Sequence, residues 1–280
     1  VMDAKRMLEG VVTVKELLMN DYEVKIEDIM DTNVIKAVTT DDKEEIADLF
    51  NKYDLLSLPV VDHENRLVGI VTIDDAVDVM EEEATEDFEK MAAMLPSEKP
   101  YLKTSVLELA KNRITWLLVL MISSMLTGGI LTRYEDAFQV MPLLVSFVPM
   151  LTDTGGNAGS QSSTMIIRGM TIGEVASSDI FKVIWKEARV SVIVGLILGL
   201  VNFVRLVIQY PGQPLVALTV VLALFATVFV AKVIGGILPI LAKRLKLDPA
   251  IMAAPLITTI VDAVSLVIYF QIAVELLHIK

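Results

Sequence analysis

The sequence predicts an α-helical polytopic membrane domain of five transmembrane helices, preceded by a small α/β module and an acidic connecting helix. Three observations predict it. The 280 residues are 54% hydrophobic with a mean hydropathy of +0.60, too apolar for an ordinary soluble domain. Charge is split by position: residues 1–100 carry 26 Asp and Glu against 10 Lys and Arg, net −16, while 101–280 carry 10 against 14, net +4, together the −12 of the chain. Beyond residue 112 the chain breaks into apolar stretches of the ~20 residues that cross ~30 Å of hydrocarbon. The acidic balance argues against nucleic acid as a partner and for metal cations. There is no cysteine, hence no disulfide framework and no thiolate metal site. His63 reads as a solvated turn residue and His278 as an interfacial one, without metal-ligand spacing, which argues against zinc.

The chain opens at Val1 without a signal peptide, in what reads as the middle of a domain. Gly10–Leu18 is a short β-branched run followed by a helical one, and Ile70–Val79 repeats that strand-Thr-helix pattern about 59 residues later. Residues 1–27 are therefore read as the tail of a first α/β copy and 28–80 as a complete second one. Within the second copy, Asp41–Tyr53 reads as a helix, and Leu58–Asp62 and Leu67–Val71 as strands joined by the turn at 63–66. With its closing G-x-V-T-x-x-D pattern at Gly69, Val71, Thr72 and Asp75, the copy resembles a CBS domain. That resemblance implies pairing into sandwiches and adenine-nucleotide binding, so ATP is an expected ligand of the module. Glu16 stands where the pattern's Asp would fall in the first copy.

Asp74 to Glu89 holds nine carboxylates before the first base, Lys90. On a helix, Asp75, Asp78, Glu82 and Glu86 share one face, with Glu83 and Asp87 beside them. Like charges so placed repel. The run reads either as a solvated face or as a dense set of hard oxygen ligands suited to Mg²⁺ or Ca²⁺. Residues 81–111 form the expected connecting helix, leading through Met91–Ser97 and Pro100 to the membrane.

Residues 112–280 form the expected five-span domain, with apolar stretches at about 113–131, 138–167, 187–209, 214–242 and 249–277. Lys103, Lys111, Arg113, Arg168, Lys182, Lys186, Arg189, Lys243, Arg244 and Lys246 fall before the first span or in the even-numbered connections. The other side has Arg133, Arg205 and Lys280. The positive-inside rule then puts the α/β module in the cytoplasm and the C-terminus outside the cell membrane.

Two spans carry polar groups at membrane depth. The second is interrupted by Pro142 and Pro149 and then reads Thr152–Thr164 without a large apolar side chain. Such a run suits close helix packing, a non-helical turn or a water-lined path, and Gly155, Gly156 and Gly159 have roles set by size. Asp153, Asn157 and Gln161 recur every four residues as one polar stripe that can face the last span. In the last span, Asp262 is the sole ionisable side chain besides Tyr269 between Ala250 and Phe270. A carboxylate there costs roughly 2.5–3.5 kcal/mol on insertion scales. It is read as a cation or substrate ligand, or as a protonated structural Asp. Lys232 either snorkels toward the basic end at Lys243 or pairs with a carboxylate.

The T-G-G-N-x-G-x-Q segment at Thr154–Gln161, the D-P-A at Asp248–Ala250, the central Asp262, the acidic helix and the CBS pattern together resemble the MgtE family of magnesium transporters and channels, over the whole chain. The resemblance implies a homodimer with one pore on its two-fold axis, lined by the second and fifth spans. It implies that Asp262 and the backbone carbonyl of Thr258 hold the permeating Mg²⁺. It also implies Mg²⁺-sensing carboxylates at Asp54, Asp75, Asp78, Glu83, Glu86 and Asp87, and a carboxylate at the cytoplasmic mouth, Asp248. Asn157, Gly155, Gly156 and Gly159 are expected to line the pore. An Asn near the start of the last helix of one family member is Ala254 here.

The implied function is a Mg²⁺-selective channel or transporter admitting Mg²⁺ to the cytoplasm down its electrochemical gradient and closed by cytosolic Mg²⁺, with no enzymatic activity. The chemistry agrees: Mg²⁺ dehydrates reluctantly, so two Asp262 carboxylates across a dimer axis can hold a largely hydrated ion without a full cage. The alternative is a secondary transporter of another divalent cation or substrate, coupled to H⁺ or Na⁺ through Asp262 and Lys232. Five spans do not divide into the two equal halves that inverted repeats would need.

Overall fold

The computed structural model describes residues 1–97 and 99–279, with the side chains of 136–138 and of Ala254 outside the description. Lys280, counted above for the outer side, lies outside the described residues. The chain divides into two compact units, Val1–Thr85 and Glu86–Lys280.

In the first unit the helices are α1 (Val14–Met19), α2 (Ile26–Ile29), α3 (Lys43–Tyr53) and the start of α4 (Ile73–Met91). The strands β1 (Ala37–Val38), β2 (Ser57–Val61) and β3 (Leu67–Thr72) form one sheet in that order, β1 parallel and β3 antiparallel to β2. Its core is small: Ala37, Phe50, Leu58 and Ala76 are buried together, with Ile46 and Leu49 of α3 against them. Asp42 caps α3 by accepting the Glu44 N–H at 2.9 Å.

The repeat read in the sequence has a local physical form. The Thr13 N–H and Oγ1–H donate to Glu16 Oε2 at 2.7 and 2.9 Å, and the Glu16 N–H donates back to Thr13 Oγ1, a reciprocal capping box. At the second copy Thr72 Oγ1–H donates to Asp75 Oδ2 at 2.8 Å and the Thr72 N–H to the same oxygen at 3.4 Å. Glu16 thus does locally what Asp75 does, and the carboxylate three residues after Thr starts each helix.

The second unit holds the end of α4, α5 (Val106–Arg133), α6 (Glu135–Val140), α7 (Val148–Thr171), α8 (Ile180–Gln209), α9 (Pro214–Arg244) and α10 (Ala254–Leu276). Short 3₁₀ turns precede α5, α7, α8 and α10. Among the described residues four helices are long and apolar enough to cross a membrane: Val106–Arg133, Ser177–Gln209, Pro214–Arg244 and Pro249–Leu276. These correspond to the first, third, fourth and fifth expected spans. The second, α7, is 24 residues long and is packed against both α9 and α10. Its glycines, serines and threonines keep it below the apolarity of the others.

The boundaries of the connecting segment differ from the sequence reading. The acidic helix starts at Ile73, in register with the Thr72 cap, and ends at Met91 instead of running over 81–111. The described residues of 92–105 hold no α-helix, and Ser105 starts α5 by accepting the Glu108 N–H.

The packing of the second unit is set by small residues. A Cβ on Gly155 would lie 2.6 Å from Thr227 Cγ2, one on Gly156 2.8 Å from Thr258 Cγ2, and one on Gly159 2.7 Å from Ile257 Cγ2. Gly235 of α9 abuts the Gly159 carbonyl. No side chain fits at these crossings, as helix contacts within lipid require. Tyr269 fixes the α10 end of the core by donating its hydroxyl to the Leu144 carbonyl at 2.9 Å. At the other end Arg244 donates to the Ser177 carbonyl at 2.6 Å, bringing the basic end of α9 to the start of α8.

Candidate functional site

The stretch Thr152–Thr164 is continuous α-helix, so the alternative of a non-helical turn there is set aside. Its two faces separate cleanly. Gly155, Gly156, Ala158, Gly159, Ser162 and Ser163 are buried. Asp153, Asn157 and Gln161, the stripe read from the sequence at every fourth position, are exposed, and Thr164 and Arg168 beyond them are exposed as well. Asn157 therefore lies on the open face. The three glycines are buried, and within this chain they are the contact surface that lets α9 and α10 approach.

Asp262 lies midway along α10, half-buried. It makes no hydrogen bond or ion pair with the described residues, and Asp153 of the α7 stripe lies within its electrostatic reach. Among the described residues neither carboxylate forms an ion pair, so the two together concentrate negative charge at membrane depth. Thr258 sits one turn earlier, its methyl against Gly156 and its Oγ1–H donated to the Pro255 carbonyl at 2.9 Å. In a regular helix the Thr258 carbonyl meets the Asp262 N–H and retains a second lone pair.

Asp248 stands at the entrance to α10. Its Oδ1 accepts the Ala250 N–H at 2.8 Å, capping the turn Pro249–Met252. Its Oδ2 takes Lys90 Nζ at 2.6 Å, and the same Nζ contacts Glu86 one turn back on α4. Burial works against the Lys90 charge, but hydrogen bonds to Asp248 and then Glu86 outweigh it and hold the ammonium above its usual range.

The remaining expected carboxylates are spread. Asp54 caps α3 with left-handed backbone at φ 51°, and Asp75 and Asp78 are exposed on α4. Glu83 and Glu82 both contact Lys43 Nζ, at 3.0 and 3.3 Å, and hydrogen bonds to them raise the Lys43 pKa. Asp87 is half-buried on α4. Among the described residues, no three His, Cys, Asp or Glu side chains come close enough to share a metal ion within this chain.

Two residues escaped the sequence reading. Glu187 of α8 accepts the Ser162 Oγ–H at 2.6 Å and packs its stem against Gly236. Its position inside a basic run, Lys186–Arg189, masked it as a surface residue. Lys90 was counted only as the end of the acidic run. Lys232, for its part, is 5% exposed on α9 and makes no ion pair with the described residues, Asp262 included.

Residues 148–272 match the family model of the MgtE divalent cation transporters, and residues 26–82 match that of CBS domains. Over 279 residues the chain is 38% identical to the magnesium transporter MgtE of Bacillus subtilis, covering 99% of this chain and 61% of the relative. It is 38% identical over 278 residues to the magnesium transporter MgtE of Thermus thermophilus, again 61% of that protein's length. The chain thus spans about three-fifths of the curated relatives it matches. A solved structure described as the cytosolic domain of the Mg²⁺ channel MgtE with ATP is 45% identical over 28% of this chain and 32% of that one, with a TM-score of 0.28. A match to the MgtE transporter model over α7 through most of α10, a CBS match before it and 38% identity along nearly the whole sequence make the chain similar to the MgtE magnesium transporters.

Proposed function

We propose that this chain is the regulatory and pore-forming part of a Mg²⁺ channel or transporter, admitting Mg²⁺ to the cytoplasm down its electrochemical gradient. The observation that carries the reading is Asp262: a half-buried carboxylate within an apolar helix, without a partner among the described residues and within electrostatic reach of Asp153. Paired across the two-fold axis of a homodimer, two such carboxylates would repel unless a cation lay between them. One acidic ring binds weakly enough to release a hydrated Mg²⁺, as conduction requires. The exposed stripe of Asp153, Asn157 and Gln161 supports the same axis, since it would otherwise face lipid.

Closure by cytosolic Mg²⁺ belongs to the proposal. The metal would screen Asp54, Asp75, Asp78, Glu83, Glu86, Asp87 and Asp248 and favour the arrangement in which they draw together. A ligand shifts such an equilibrium only by its differential affinity, and a 1:99 to 99:1 swing needs roughly 5.5 kcal/mol, more than one weak site supplies and within reach of several. ATP at the CBS module is carried by the domain match alone. The basic ends of α7, α8 and α9 support a cytoplasmic module and an outside C-terminus.

Mg²⁺ uptake into proteoliposomes tests the reading. Uptake driven by a Mg²⁺ gradient and suppressed by Mg²⁺ on the module side is the expected result; absence of uptake from correctly folded protein overturns it. Neutralising Glu83, Glu86 and Asp87 together is expected to leave uptake that persists at suppressing Mg²⁺.

A further inference from the structure

The end of α4 is tied to the entrance of α10 by a cation that belongs to the chain. Lys90 Nζ lies 2.6 Å from Asp248 Oδ2 and contacts Glu86, with the lysine side chain 22% exposed. Asp248 divides its oxygens, Oδ1 to the Ala250 N–H that starts the turn into α10 and Oδ2 to Lys90. The segment after α4 is fixed by two more bonds, the Ser97 N–H to Glu89 Oε2 at 2.7 Å and the Leu95 N–H to the Asn112 carbonyl at 2.9 Å. Glu86 and Asp248 together carry −2, and one ammonium leaves −1.

We propose that Lys90 is a built-in counter-cation that holds α4 to the α10 entrance in the absence of metal, and that a divalent cation using Glu86 and Asp248 has to displace it. The contact would then exist without metal, and Lys90 would set how much Mg²⁺ the site needs. An ammonium satisfies one charge where a divalent ion satisfies both, so the exchange favours metal at high concentration and Lys90 at low. Lys43, against Glu82 and Glu83, repeats the arrangement within the first unit. The effect on the Mg²⁺ threshold rests on the gating reading above; the metal-free contact does not.

The chain has no cysteine, so a Phe88→Cys, Leu247→Cys pair, both exposed positions, takes spin labels cleanly. The distance distribution between them is measured by pulsed electron resonance on the full chain in lipid. Wild type is expected to give a narrow distribution in chelator. Lys90→Gln is expected to broaden it, with saturating Mg²⁺ restoring the narrow one, and Lys90→Arg to stay narrow throughout. Asp248→Asn, which keeps a carbonyl to cap the turn, is expected to broaden it in chelator as Lys90→Gln does, and decides the matter if Lys90→Gln does not fold. In the uptake assay Lys90→Gln is expected to be suppressed at about tenfold lower Mg²⁺, the order of one charge-assisted bond. Wild-type uptake that ignores Mg²⁺ refutes the gating reading and leaves the label distances to decide the contact. Narrow distributions in chelator for both Lys90→Gln and Asp248→Asn overturn the proposal.

Discussion

At the scale of single residues, the chain is most sensitive where glycine meets a facing side chain. Gly155 would place a Cβ 2.6 Å from Thr227 Cγ2 and 2.9 Å from Val261 Cγ1, against β-branched side chains with few rotamers to yield. Gly155→Ala is expected to lower stability by about 1–3 kcal/mol through overpacking, and Gly156→Val, aimed at Thr258, to abolish uptake. Thermal unfolding in detergent checks the first and proteoliposome uptake the second. The sequence marked these positions as size-limited but left open whether they packed or bent the chain. Nothing in Thr154–Gln161 distinguishes a tight helix crossing from a loop, because glycine serves both; the facing Thr227, Ile257 and Val261 decide it.

At the scale of elements, the caps carry pH dependence. Hydrogen bonds from the Thr13 backbone and then its side chain hold the Glu16 carboxyl below its usual 4.5. A depressed carboxylate contributes stability above its unfolded value and loses it as pH falls through the folded one. The start of α1 is therefore expected to loosen on acidification below about pH 4.5, and Glu16→Gln to remove that dependence. Hydrogen exchange of the α1 amides, corrected for intrinsic pH effects, checks it. The same capping logic shifted α4. An acidic run looks equally helical anywhere along its length: the run itself opens at Asp74, whereas the connecting helix is expected only from 81, after the α/β copy. The Thr72–Asp75 bond is what starts it eight residues earlier.

At the scale of the whole molecule, the two-part organisation was legible because hydropathy and charge change together near residue 100. The apolar helices α5, α8, α9 and α10 follow directly from length and composition. The stripe on α7 followed from helical periodicity, and the lone charge at Asp262 from the composition of the last span. The contacts of Lys90 with Asp248 and of Glu187 with Ser162 were not legible, since each is a long-range pairing of residues that are ordinary in their local context. Among the described residues no three metal-ligating side chains come together around Asp262, and Asp153 acts on it as a like charge. The account's central claim is that Asp262 holds the permeating divalent cation. Mg²⁺ uptake by wild type, Asp262→Asn and Asp262→Ala, each first shown to be a folded dimer in lipid, tests it most directly. The account predicts that both substitutions abolish Mg²⁺ uptake, Asp262→Asn included, because it keeps the shape and removes only the charge. Wild-type uptake with unchanged selectivity in Asp262→Asn would contradict it.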